Sequence, residues 1–151
     1  MRAALALLAW LGAAAPDALA QPAEVTGMPD EPAFVEHRLT LQLSDPGDAK
    51  QALIISTANN VLKFYGPDKL SVHVVAFGPG IELLRDGNPN AEKIRSLAAQ
   101  GVQFDACMNT IDTIERTTGQ PFALNPVAHR VTAGIAQIMT LAEHGYITVR
   151  P

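Results

Sequence analysis

At 151 residues with a formal net charge of −4, the chain is sized for one domain and lacks the basic surface that nucleic acid or an anionic membrane requires. Its single cysteine excludes an internal disulfide, so an apolar core has to hold the fold.

The first twenty residues, MRAALALLAWLGAAAPDALA, read as a secretory signal peptide. Arg2 supplies the positive start, Ala3 to Ala15 an apolar run too short to span a bilayer, and Ala18-Leu19-Ala20 the small residues of a cleavage site. No cysteine follows to accept a lipid, so the expected product is a periplasmic or secreted protein with no membrane attachment after cleavage. Removing 20 residues from 151 leaves 131, enough for one buried core. Residues 21–37 begin with QPAEVTGMPDEPAFVE, whose prolines and acidic punctuation predict an extended lead-in. The domain proper is expected over 38–151.

From there, short apolar runs alternate with helical patterns. Leu39 to Leu43 has the period-2 pattern of a strand. Asp45, Pro46 and Asp48 suit the start of a helix, whose buried face would hold Ile54, Ala58, Val61, Leu62 and Tyr65 before Gly66-Pro67 stops it. Leu70 to Phe77 predicts a strand buried on both faces, running into Gly78-Pro79-Gly80. Asn88-Pro89 opens a helix through Gln100, with Ile94, Leu97 and Ala98 inward. Val102 to Cys107 is a third strand, and Asn109 or Thr110 begins a short helix carrying Ile111 and Ile114.

After a loop over Gln120 to Pro126, Val127 to Val131 forms a fourth strand. Ala133 to His144 is a helix with Ile135, Ile138, Met139 and Ala142 expected inward, and Tyr146 to Val149 a last strand. Phe122 and Leu124 in the preceding loop are apolar residues that hint at an interface. About five strands and four helices in alternation predict an α/β fold with a mostly parallel sheet and helices on both faces.

Ligands of such sheets bind beyond the carboxyl ends of the strands. Cys107 lies there, just before a helix whose free N–H groups and dipole favour an anion. Three readings stay open for it: an inert core cysteine, a reactive thiol, or half of an intermolecular disulfide. Asp105 and Asp112 would oppose a thiolate if they came close. Gly78-Pro79-Gly80 is either a tight turn or a backbone cradle for an anion. Of the histidines, His73 reads as a core-strand residue, His144 as a complement to its helix's C-terminal dipole, and His129 as a candidate base near the same surface. Histidine and cysteine spacing gives no metal motif, and no cofactor fingerprint is present.

The order strand, AFGPGIELL turn, helix, GVQFDACMNT, helix and closing VTAGIAQIMTLAEHGYITVRP resembles the DsrE/DsrF-like family of sulfur-relay proteins over about residues 38–151. The resemblance implies a small three-layer α/β/α sandwich that forms trimers or hexamers. It implies that Cys107 accepts a sulfane sulfur as a persulfide from a donor protein or small sulfur compound and yields it to an acceptor thiol. In that role the amides of Met108, Asn109 and Thr110 would steady the terminal sulfur anion, with Gly78, Pro79 and Gly80 as the opposite wall of the pocket. The best-understood members act inside the cell, whereas this chain carries an export leader. The alternative function is a non-catalytic oligomeric binding or structural module with an inert Cys107.

Overall fold

The computed structural model describes residues 31–151; the expected signal peptide and the lead-in up to residue 30 lie outside the described residues. The elements run β1 (His37–Leu43), α1 (Asp48–Tyr65), β2 (Leu70–Ala76), a 3₁₀ helix (Gly78–Leu84), α2 (Ala91–Ala98), β3 (Val102–Cys107), α3 (Met108–Thr118), β4 (Ala128–Val131), α4 (Gly134–Glu143) and β5 (Ile147–Val149). All five strands are parallel, in the order β4-β3-β2-β1-β5. The fold is a three-layer α/β/α sandwich.

Strand order dictates which face each helix covers. From β1 to β4 the chain steps one strand at a time in one direction, so three right-handed crossovers lay α1, α2 and α3 on the same face. The step from β4 to β5 then crosses the whole sheet in reverse, and the same handedness throws α4 onto the opposite face. The packing agrees. Ile54, Ile94 and Ile111, from the first three helices, share one core with Leu41, Val72, Val74 and Phe104. Leu141 of α4 forms a separate small cluster with Val75 and Tyr146.

β2 is buried along its whole length, as a central strand covered on both faces must be. Its even-numbered residues are Leu70, Val72, Val74 and Ala76, all in the larger core. Ser71, His73 and Val75 alternate onto the α4 face. That face is therefore partly polar in a strand that reads as continuously apolar.

Several expectations need correction. α1 begins after Gly47, and Asp45 does not cap it; its carboxylate takes the Arg150 guanidinium at 2.8 Å. The 3₁₀ helix was not anticipated, because Gly-Pro-Gly reads as a stop. α4 buries Gly134 and Leu141, with Ile138 packed beside them, while Ile135 and Met139 are 53% and 60% exposed and Ala142 is also exposed. Apolar residues occur around most of that helix, so periodicity alone could not choose its inner face. Phe122 is not an outer residue: it is buried beneath the Arg85 guanidinium, 4.0 Å from its ring centroid, while half-buried Leu124 bridges to Arg85.

A polar clasp joins Glu31, ahead of β1, to Tyr146, ahead of β5, at the amino side of the sheet. Tyr146 donates to Glu31 Oε1 at 2.6 Å and lies 2.7 Å from the Ser71 hydroxyl, while Arg38 closes on the same Glu31 carboxylate at 2.8 Å. The Arg38 hydrogen bond holds Glu31 below the usual carboxylate range. Burial first, and the Glu31 carboxylate second, push the Tyr146 phenol up to about 12.

Candidate functional site

Cys107 is the last residue of β3 and the N-cap of α3, with extended backbone at φ −68°, ψ 110°. Its register partner on β4 is Val131. From this pair the two chains part: β3 feeds α3 on one face and β4 feeds α4 on the other. That divergence is a topological switch point, where open parallel sheets form crevices beyond their carboxyl ends. Both helices start there, so two positive dipole ends flank the thiol's strand end.

The residues around it are tightly tied. Asn109 N–H donates to Thr132 O at 3.2 Å, fastening the first turn of α3 to the segment that opens α4. Thr110 Oγ1 accepts from Gly78 N–H at 3.0 Å, bringing the Gly-Pro-Gly turn against α3. Gly80 N–H is spent on Phe77 O at 3.1 Å, and Pro79 has no N–H to give. The Gly78 and Gly80 amides are thus committed within the protein, and so is that of Asn109. Gly80 has a different duty: a Cβ there would run into the carbonyl of Leu43, so only glycine lets the 3₁₀ helix sit on the end of β1.

The structure brings Cys107, Gly78, Met108, Asn109 and Thr110 to one corner, with Cys107 itself 5% exposed. His129 lies opposite Asp105 in the register, two pairs before Cys107 and Val131, and is exposed on an edge strand. Arg130, which the sequence reading did not single out as functional, reaches the same corner: its Nη1 lies 3.8 Å from Met108 Sδ. It makes no ion pair with another described residue. Two grooves of about 330 and 310 Å³ lie elsewhere, one between α1 and α2 and one at the amino ends of β1 and β2.

Asp105, feared as a repulsive neighbour for a thiolate, is occupied. His73 Nδ1 lies 2.7 Å from its Oδ2, both side chains essentially buried, and Gln137 Nε2 adds a contact at 3.4 Å. The sequence reading took His73 for a core histidine and missed this partner. The signal available was parity: His73 and Asp105, with Ser71 and Gln103, are polar residues on the α4-facing positions of two adjacent strands. The Asp112 side chain makes no hydrogen bond or ion pair with another described residue, and His144 sits as expected, its Nδ1 2.7 Å from Thr140 O at the end of α4. Among the described residues, no three His, Cys, Asp or Glu side chains gather as a metal site would require, and no helix is long and apolar enough to cross a membrane.

No family model and no curated protein matches the chain. The solved structure of MTH1491, a protein of unknown function from Methanobacterium thermoautotrophicum, is similar to it with 25% sequence identity and a TM-score of 0.68. The match covers 77% of this chain and 100% of that one. What is shared is the fold.

Proposed function

We propose that this is an exported DsrE-like sulfur carrier that accepts a sulfane sulfur on Cys107. The observation that carries the reading is the position of Cys107: the one thiol of the chain ends a strand at the switch point, between the starts of two helices. The Cys107 thiolate attacks the outer sulfur of a donor such as thiosulfate. A new S–S bond forms, the donor's S–S bond breaks, and sulfite leaves with the electron pair. The terminal persulfide anion lies by the dipole end of α3, with the Arg130 guanidinium nearby to receive an anionic donor. An acceptor thiolate then attacks that sulfur and releases Cys107 as thiolate, so the cycle needs no redox partner.

The proposal includes assembly into a homo-oligomer, a trimer or hexamer. Five strands span about 24 Å, and one helix about 10 Å across covers less than half of that width. Ile135 and Met139, one turn apart on the outside of α4, support a second copy packing there.

A second reading is favoured by the low exposure of Cys107: a non-catalytic module in which the cysteine fills space. Alkylation separates the two. A carrier's Cys107 should react with iodoacetamide in the native protein within minutes at neutral pH. A thiol that labels only after denaturation would place the function elsewhere.

A further inference from the structure

The α4 face of the sheet carries a polar row that the sulfur chemistry does not use. Register aligns Thr40 of β1 with His73 of β2, and His73 with Gln103 of β3, so the three side chains stand side by side on one face. Thr40 and His73 are completely buried. Each presents a buried polar atom with no hydrogen-bond partner among the described residues: Thr40 Oγ1, His73 Nε2 and, on half-buried Gln103, Oε1. Buried polar groups are rarely left alone, and three in one row mark a place built for a small hydrogen-bonding molecule.

The surroundings define what fits. His73 Nδ1 is already engaged by Asp105 at 2.7 Å, and the imidazole meets the Tyr146 ring edge-on at 5.1 Å, which fixes the plane of Nε2. Leu141 of α4, with Val75 and Tyr146, closes the layer over the strands. No charge stands among the three unpaired atoms, and Thr40 and His73 are fully buried, which suits a small neutral molecule. We propose that the row binds ordered internal water. Thr40 offers a donor and an acceptor, Gln103 Oε1 an acceptor, and Nε2 an acceptor or a donor according to whether the ring is neutral or charged. Water matches every combination, because it gives two hydrogen bonds and receives two. A solute able only to donate or only to accept does not. The water holds the ring of His73 from the side opposite Asp105, and half-buried Gln103 is its route to solvent.

A crystal structure of the mature protein that resolves solvent should show an ordered peak about 2.7–3.2 Å from His73 Nε2 and from Thr40 Oγ1 or Gln103 Oε1. Side chains turned onto protein partners, with no solvent peak between them, would overturn the proposal. In solution, water-oxygen relaxation dispersion reads the contribution of long-lived internal water. Thr40→Val, and separately Gln103→Leu, checked for native circular dichroism, should each reduce that contribution relative to wild type. An unchanged contribution in both folded variants contradicts the site. Neither readout depends on Cys107.

Discussion

Cys107 and Val131 are register partners on adjacent parallel strands whose onward chains leave for opposite faces of the sheet. This one pairing gives the thiol its address, because it makes the gap between β3 and β4 the switch point of the fold. The contact of Thr110 with Gly78 closes the corner from the β2 side.

Thr110→Val should therefore loosen that corner. The Gly78 N–H loses its acceptor, at a cost of about 1 kcal/mol for a partly buried group. Urea denaturation should show the lowered midpoint with an unchanged slope, and Cys107 should become easier to alkylate.

Gly80→Ala tests the close approach of the 3₁₀ helix to β1. The added methyl meets the Leu43 carbonyl, which is backbone and cannot rotate away. A loss of about 3 kcal/mol in denaturant unfolding is expected, against a near-neutral change at Gly87, where nothing lies within contact. At Gly87 the positive φ calls for asparagine as the control substitution.

His73 and Asp105 should be inseparable in stability measurements. His73→Ala leaves Asp105 buried with only the 3.4 Å contact of Gln137, Asp105→Ala leaves His73 Nδ1 buried without its partner, and each is expected to cost about 3 kcal/mol. In a double-mutant cycle the two losses should fall well short of additive.

The clasp of Glu31, Arg38 and Tyr146 predicts pH dependence on both flanks. Glu31 has a lowered folded-state pKa, so its contribution is present above the unfolded carboxylate range near 4.5 and is lost as pH falls through the folded value. Tyr146 is shifted the other way. Its contribution is complete below about 10 and disappears as pH rises towards about 12. The chain's two tyrosines are Tyr65 and Tyr146, so phenolate absorbance reports these two alone. Tyr146→Phe should remove the titration step near 12 and flatten the loss of stability above about pH 10.

Much of this architecture was legible in the sequence, and the misses have physical causes. The limits of β3 were readable because Gly101 precedes it and a polar Asn-Thr pair follows its cysteine. The inner face of α4 was not, since apolar side chains lie on both of its faces and burial depends on which half of the sheet the helix crosses. Strand order depends on contacts distant in sequence. Once it is known, the handedness rule assigns every helix to a face and exposes the switch point. Cys107 could be picked out from the sequence, but the His73–Asp105 pair and the Arg130 side chain beside Met108 needed the register of three strands.

The most direct test of the proposed sulfur-carrier role is intact-mass measurement after incubating protein lacking residues 1–20 with thiosulfate. The expected result is a gain of about 32 Da, one sulfur atom, that is absent from Cys107→Ser and discharged by an acceptor thiol. A native protein that reacts with iodoacetamide yet gains no mass, or an adduct that persists in Cys107→Ser, would contradict it.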